Sequence, residues 1–537
     1  MRGMMMDFPL TLLPILERAG RLFGAVEIVV RQPDRSVART AYGDVYLGAR
    51  RLARALELAG IGRGDRVATL MWNHAKHLEC YFGIPATGAV LHTLNLRLHP
   101  NELAFTANHA RDRFLIVDDV LLPVYESFRK QVNFERVFVA PFGGGAIPRE
   151  FERYEDLLAA VDDEFEYPKI DENDAATICF TSGTTGNPKG VVYSHRALTL
   201  HTMASCIEGT FGVKHDDVLL LCTSMFHANG WGLPYTASML GSKLVLPGPH
   251  LDAEGLLDSI EREGVTLAAG VPTIWFAVLQ ALEDHPGRWK IEQPVRIVSG
   301  GSAVPETLFR GMDRHGIEIR QIWGMTETTP MASMGTIKST LGHRTDDEKY
   351  KIRKKQGLPS PFVEIRVMNS DGEAPWDDET SGELEVRGPW VAASYLNAPE
   401  TSDRWTQDGW FRTGDVATID AEGYMRIVDR SKDMIKSGGE WISSVELENA
   451  LMGHPAVAEA AVIGVPHPKW QERPLAVVVV RRDASVEPEE LRAFLAERFA
   501  KWQVPDAFVF ASEIPRTSVG KFLKSKLREQ YANWEWK

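Results

Sequence analysis

Apolar stretches with helical spacing alternate with short β-branched runs through most of this chain, and that alternation limits the fold more than any single motif. YLGARRLARALELAG (46–60) is followed by DRVATLM (65–71) and then HLECYFGIPATGAVL (77–91). Helices alternating with strands cover both faces of largely parallel sheets, so the expected class is α/β with layered sheets. No period of roughly 20–50 residues recurs, which argues against a solenoid or propeller.

The 537 residues fit about three domains at roughly 100–200 residues each. From about residue 360 to 428 the character changes to short strands and turns (VEIRVMNSDGEAP, GELEVRG, GYMRIVD), which reads as a small β-barrel-like subdomain. A candidate joint follows at Asp429-Arg430-Ser431-Lys432-Asp433. Beyond it, SVELENALMGHP and PEELRAFLAERFAKW read as helices around the strands EAAVIGV and PLAVVVV, a small α+β domain. The predicted division is a large N-terminal domain over 1–430, a hinge at 431–433 and a C-terminal domain over 434–537. The charged run 338–355, KSTLGHRTDDEKYKIRKK, reads as a solvated surface helix with its loop.

Acidic residues outnumber basic ones, 73 to 60, for a net charge of −13, the wrong sign for a dedicated nucleic-acid binder or a polybasic membrane anchor. Any bound phosphate must be gripped locally. Cys80, Cys179, Cys206 and Cys222 form no C-x-x-C and read as small buried hydrophobes in a reducing compartment. No uncharged apolar stretch approaches the ~20 residues of a membrane span. MRGMMMDFPLTLLPILERAG is interrupted by Asp7 and Pro14 and lacks a cleavage site, so it reads as the first helix of a cytoplasmic protein rather than a signal peptide.

The strongest local signal is Thr181-Ser182-Gly183-Thr184-Thr185-Gly186-Asn187-Pro188-Lys189-Gly190. Its glycines allow close backbone approach, its hydroxyls and N–H groups can surround phosphoryl oxygens, and Lys189 adds charge. It is not a Walker A loop, because Pro188 and Gly190 stand where that motif needs Gly and Ser or Thr. ATICF before it and VVYS after it read as two strands, with the next helix N-capped at Ser194.

With this loop, six further motifs occur in order: MFHANGW (225–231), GGSAVP (300–305), QIWGMTET (321–328), WFRTGD (410–415), DRSKDMIKSGGEWIS (429–443) and PRTSVGK (515–521). Together they resemble the AMP-forming acyl-CoA synthetases of the adenylate-forming superfamily over nearly the whole chain. The pieces around Trp231 and GGEW are most similar to bacterial medium- and long-chain fatty acid–CoA ligases.

The resemblance implies ATP-binding roles for Thr181, Ser182, Thr184, Thr185, Lys189, Ala228, Gly301, Ser302, Gln321, Ile322, Trp323, Thr326, Asp415, Arg430, Lys432 and Lys436. Thr184 and Glu327 would suffice for Mg²⁺, which takes one or two protein oxygens beside substrate phosphates. Asp415 matches the acid that accepts both ribose hydroxyls. Trp323 stands where the family usually has Tyr; an indole can stack on adenine but repeats no contact of a phenol hydroxyl. His227 falls beside the acyl carboxylate, and Trp231, between two glycines, matches the gate of the acyl tunnel. Lys521 matches the adenylation lysine. Lys432 matches the hinge, and Gly438, Gly439, Glu440 and Trp441 match the loop lining the CoA passage once the mobile C-terminal domain turns.

The implied activity is ATP-, Mg²⁺- and CoA-dependent ligation of a medium- or long-chain fatty acid through an acyl adenylate, with a homodimer implied by resemblance alone. An acyl-AMP ligase loading a carrier protein is the alternative enzyme. A non-catalytic fatty-acid- or nucleotide-binding regulator is the alternative of another class.

Overall fold

The computed structural model describes the whole chain except residues 2, 182–186, 438–439, 483, 518–520 and 537. The alternation read from the sequence becomes two predominantly parallel sheets. The first has seven strands in the order Glu152–Arg153, Arg136–Ala140, Phe114–Asp118, Arg66–Leu70, Val90–Thr93, Ala175–Phe180 and Gly190–Ser194, with only the last pair antiparallel. The second has nine, from Leu358–Pro359 through Met331–Met334, Ile317–Gly324, Val295–Ser299, Leu267–Gly270, Val218–Leu221, Lys243–Leu246 and Glu27–Arg31 to Val37–Ala41. Every pair from Ile317–Gly324 across to Glu27–Arg31 is parallel. Val90–Thr93, Phe114–Asp118 and Leu267–Gly270 are buried throughout, as strands covered on both faces must be. The covering helices are amphipathic. Tyr42–Leu58 buries Val45, Ala49, Leu52 and Leu56, a stripe at helical spacing.

The β-rich stretch forms a five-stranded antiparallel sheet in the order Gly372–Glu373, Glu364–Asn369, Gly382–Arg387, Phe411–Ile419, Met425–Arg430. Register shifts at Glu383/Glu385 and Val416/Ala417 bend its strands, but its end strands do not pair with each other. It is an open ladder, where the sequence suggested something barrel-like. One continuous core joins Leu91 and Phe114 of the first sheet, Leu219 and Leu244 of the second, and Val386 and Phe411 of this third one.

The C-terminal strands Glu440–Ile442, Ile435–Ser437, Gln471–Val480, Val457–His467 and Ala507–Phe510 form a fourth sheet. The helices Ser444–Met452 and Pro488–Ala496 bury Leu447, Leu451, Leu491 and Leu495 in a core of its own. A unit with its own core can change its orientation without unfolding.

Smaller expectations divide. The first helix is Leu13–Phe23, not the extreme N-terminus, because Pro14 occupies its first turn, where proline is tolerated; Met4, Met5, Met6 and Phe8 before it are exposed. The charged run carries the surface helix Asp346–Arg353, capped by Thr345. All four cysteines are free, three of them buried and Cys206 half-buried. Among the described residues no helix is long and apolar enough to cross a membrane.

Candidate active site

A cavity of about 840 Å³ opens outside the carboxyl ends of the parallel strands of the nine-stranded sheet. Thr223 and Ser224 follow the strand Val218–Leu221, Val271 and Ile274 follow Leu267–Gly270, and Gly301 and Ser302 follow Val295–Ser299. Open α/β sheets bind ligands in this position. The far wall comes from the antiparallel sheet and from the C-terminal unit.

The rim holds the base of the expected phosphate loop. Thr181 N–H donates to Lys189 O (2.9 Å), and Lys189 N–H donates to Thr181 Oγ1 (3.0 Å), closing the antiparallel pair Ala175–Phe180 and Gly190–Ser194. Ser194 caps the following helix by accepting from Ala197 N–H. Ser182, Thr184 and Thr185 lie outside the described residues.

Beside the rim, the turn after Gly324 presents Thr326 and Glu327. A Cβ on Gly324 would lie 1.6 Å from Pro330 O, so only glycine allows this close approach. Tyr193 Oη donates to Thr326 O (2.6 Å), fixing the turn to the hairpin strand. The carboxylate of Glu327 accepts a hydrogen bond from Tyr395 Oη, and Lys189 Nζ lies 5.6 Å from the centre of the same tyrosine ring. Tyr395 thus links two expected ATP-site residues. Sequence reasoning missed it, since nothing in SYLNAPE distinguishes a buried tyrosine from a loop tyrosine. Among the described residues no group of three or more His, Cys, Asp or Glu gathers at a candidate metal site. A single carboxylate, Glu327, on the cavity fits magnesium's preference for few protein oxygens where substrate phosphates supply others.

Asp415 and Arg430 face each other on adjacent strands. Arg430 Nε lies 3.2 Å from Asp415 Oδ1, and Trp323 Nε1–H donates to Asp415 Oδ2 (2.9 Å). The indole therefore has a polar contact of its own with the acid.

His227, Ala228 and Trp231 reach the cavity from an unusual turn. Ala228, Asn229, Gly230, Trp231 and Gly232 all have positive φ, between +42° and +72°. Left-handed backbone costs roughly 1–2 kcal/mol for each residue with a Cβ, so something must hold Ala228, Asn229 and Trp231 there. Asn229 Nδ2–H donates to Thr177 Oγ1 (2.7 Å) and its Oδ1 accepts from Cys179 Sγ (3.4 Å), clamping the turn to the strand that enters the phosphate loop. Trp231 is 5% exposed, and a Cβ on Gly300 would come within 3.3 Å of its Cη2. The ring of Trp231 thus lies over Gly300, where a side chain would crowd it. Burial, with the nearby charges of Lys521 and Arg97, pushes His227 down to about 3, so its imidazole is neutral at physiological pH.

Lys521 enters from the C-terminal unit, its loop braced by Thr517 N–H donating to Lys521 O (2.7 Å) and Lys521 N–H donating to Thr517 Oγ1 (3.2 Å). Its Cε lies 3.6 Å from the Cβ position of Gly301. Burial and Arg430 hold its ammonium down at about 8, against the opposing pull of Asp415 and Glu327.

Thr181, Lys189, His227, Ala228, Trp231, Gly301, Ser302, Ile322, Trp323, Thr326, Glu327, Asp415, Arg430, Lys432 and Lys521 all line this one cavity. Gln321 is not among the residues that line the cavity. Its Oε1 accepts from Val304 N–H and its amide donates to Lys354 O and Lys355 O (both 3.1 Å), so it braces the 302–305 loop from behind. Lys436, Glu440 and Trp441 are not brought to the cavity either. They are exposed, with Lys436 5.4 Å over the Trp441 ring, because Lys521 and not their hairpin faces the cavity in this orientation. Gly438 and Gly439 lie outside the described residues.

Residues 17–396 match the AMP-binding enzyme family, and residues 446–521 match the AMP-binding enzyme C-terminal domain. A long-chain-fatty-acid–CoA ligase of Thermus thermophilus is 50% identical over 99% of this chain and 97% of its own length. A 3-methylmercaptopropionyl-CoA ligase of Ruegeria lacuscaerulensis is 44% identical over 99% of both chains. Among solved structures, an anthranilate CoA ligase in complex with anthranoyl-AMP superimposes with a TM-score of 0.86 at 27% identity, covering 98% of each chain.

Proposed function

The chain belongs to the AMP-binding enzyme family and is an ATP-dependent, AMP-forming acid–CoA ligase, and from that premise we propose that its acid is a medium- or long-chain fatty acid. The observation that carries this reading is the apolar wall that Leu251, Val271, Ile274, Phe276 and Ala277 give to the cavity. Each methylene buried there contributes about 0.8 kcal/mol, so kcat/KM should rise roughly three- to fourfold per carbon until the wall ends. Acyl-CoA formation across straight-chain acids from four to eighteen carbons, with 3-methylmercaptopropionate beside them, tests it. A maximum at 3-methylmercaptopropionate or butyrate would contradict the proposal.

In the first half-reaction a carboxylate oxygen attacks the α-phosphorus of ATP in line and pyrophosphate leaves, giving the acyl adenylate. Lys521 supplies positive charge to the carboxylate and α-phosphate as the bond forms. Neutral His227 offers a hydrogen bond beside the carboxylate, Asp415 and Arg430 hold the ribose, and Gly301, Ser302 and Trp323 frame the adenine. Thr181 and Lys189, with the intervening loop residues Ser182, Thr184 and Thr185, hold the phosphates. Glu327 and Thr184 would hold Mg²⁺, which when bound neutralises charge on the departing pyrophosphate. In the second half-reaction the C-terminal domain turns about Lys432, Lys521 withdraws, Gly438–Trp441 lines the CoA passage, and the thiolate attacks the acyl carbon to release AMP. A cytoplasmic homodimer is part of the same proposal, and sedimentation of the purified protein checks its oligomeric part.

Because Lys521 acts as an ammonium ion held at about 8, kcat/KM for ATP in adenylate formation should fall as pH rises through about 8. An ordinary lysine would hold its proton to about 10.4. Pyrophosphate release measured from pH 6 to 10 checks this, and a flat profile to pH 10 would contradict it. His227, neutral across that range, should add no acid limb.

Trp231 is read as the gate of the acyl tunnel. Its ring borders the cavity on one side, so Trp231→Ala should cost less than the ~3–5 kcal/mol of a Trp packed all round. Trp231→Gly should recover part of the loss, because glycine accepts the left-handed φ of +59°. Fatty-acid binding to either variant should lose its dependence on a non-hydrolysable ATP analogue. Denaturant midpoints and binding with and without the analogue measure both; a full core-sized loss with ATP dependence intact would remove the gate.

A further inference from the structure

We propose that Trp323 is a positioning residue for the ribose, its indole N–H setting the plane of Asp415 so that the carboxylate can accept two neighbouring hydroxyls at once. The inference rests on the reading of Asp415 as the ribose acid and adds what holds that acid in place.

Asp415 is 4% exposed and its backbone is fixed, its N–H donating to Thr413 Oγ1 (3.1 Å) and its strand paired to Arg430. The torsion about the Cβ–carboxyl bond remains. Terminal sp³–sp² torsions are broad, so backbone order alone does not define where the two oxygens point. One hydrogen bond and one ion pair define it: Trp323 Nε1–H donates to Oδ2 (2.9 Å), while Arg430 Nε stands 3.2 Å from Oδ1 as the opposite charge. An indole N–H only donates, so the sense of the hydrogen bond is unambiguous. An ionised carboxylate has about four acceptor positions, and the indole bond uses one of the two on Oδ2. Each oxygen therefore keeps a position for one hydroxyl of a vicinal diol. The arrangement also spans two sheets, since Trp323 lies in the strand Ile317–Gly324 of the nine-stranded sheet while Asp415 and Arg430 belong to the five-stranded one. The indole thus ties the adenine side of the cavity to the ribose side.

Stacking and positioning separate by their dependence on the sugar. A lost stacking face weakens every adenine nucleotide alike. A misaligned Asp415 weakens only nucleotides with the hydroxyls it should receive. The experiment measures kcat/KM for pyrophosphate release with ATP, 2′-deoxyATP and 3′-deoxyATP on the native enzyme, on Trp323→Phe, on Asp415→Asn, and on enzyme with 3-benzothienylalanine at position 323, which keeps the bicyclic outline but has sulfur for N–H. Preference for ATP over either deoxynucleotide is a ratio within one preparation, so partial misfolding of a variant does not move it. Both replacements at 323 should shrink that preference by about tenfold, the scale of one hydrogen bond to a charged group. If the preference collapses in Asp415→Asn but stays native in both Trp323 variants, the positioning role is overturned and the ribose reading survives. A preference untouched even in Asp415→Asn overturns both.

Discussion

Lys521→Ala should lose adenylate formation by roughly 10²–10³-fold, the usual scale for removing one group that meets developing charge in a water-poor site. Thioester formation from supplied acyl-AMP and CoA should stay near the native rate. The asymmetry follows from where the lysine sits. Its Cε lies beside the Gly301 loop, and Glu327, Asp415 and Arg430 line the same cavity, so in this orientation the C-terminal unit presents it to the cavity proposed to hold the nucleotide. Glu440 and Trp441 are exposed and do not line the cavity, so the proposed mechanism assigns attack by the thiol to a different orientation in which Lys521 has left. Single-turnover measurement of each half-reaction decides it, and equal losses in both would remove the assignment.

Lys432→Pro should have the reverse pattern, with pyrophosphate release lowered only by the loss of one cavity-lining ammonium and transfer to CoA reduced much further, on the order of a hundredfold. The proposed joint is a tight turn here, with Asp433 N–H and Met434 N–H both donating to Arg430 O (2.8 and 2.9 Å) and Ser431 N–H to Gly414 O (3.0 Å). It is tied to the C-terminal unit by Asp429, whose Oδ2 accepts from both the N–H and the hydroxyl of Ser444 (2.6 Å each), and by the ion pair of Arg528 with Asp433. The proposed rotation about Lys432 requires a change of backbone angles within this short segment. Proline fixes φ near −65°, and an incompatible position costs about 3 kcal/mol, which sets the hundredfold scale. Normal transfer to CoA in Lys432→Pro would place the joint elsewhere.

The parts of this molecule legible in the sequence are those with local causes. The helix–strand alternation marked the parallel sheets because burial on both faces leaves continuous apolar runs such as FLIVD. Ser194 was legible as a cap because capping is decided by a side chain and an N–H three residues on. What stayed hidden depends on contacts between distant segments. Gln321 sits in a nucleotide motif, yet its amide serves backbone groups of two other loops, a choice that no motif encodes. Tyr395 reaches Glu327 across 68 residues and Trp323 reaches Asp415 across 92. Replacing tyrosine by tryptophan at 323 announced a lost hydroxyl; only the fold reveals the acceptor for the indole N–H. The left-handed run 228–232 was hidden for a similar reason, since Ala228 and Trp231 are poor candidates for positive φ and the clamp on Asn229 comes from Thr177 and Cys179.

The central claim is that a fatty carboxylate is activated as an acyl adenylate before CoA receives the acyl group. A fatty acid labelled with ¹⁸O in both carboxylate oxygens, incubated with the purified protein, ATP, Mg²⁺ and CoA, tests it in one mass spectrum. Attack by a carboxylate oxygen on the α-phosphorus, followed by cleavage of the acyl carbon–oxygen bond by the thiolate, leaves one labelled oxygen in AMP and one in the thioester carbonyl. The expected result is AMP carrying one ¹⁸O, with pyrophosphate unlabelled. Label in a phosphate or pyrophosphate product, or acyl-CoA formed with unlabelled AMP, would contradict the account.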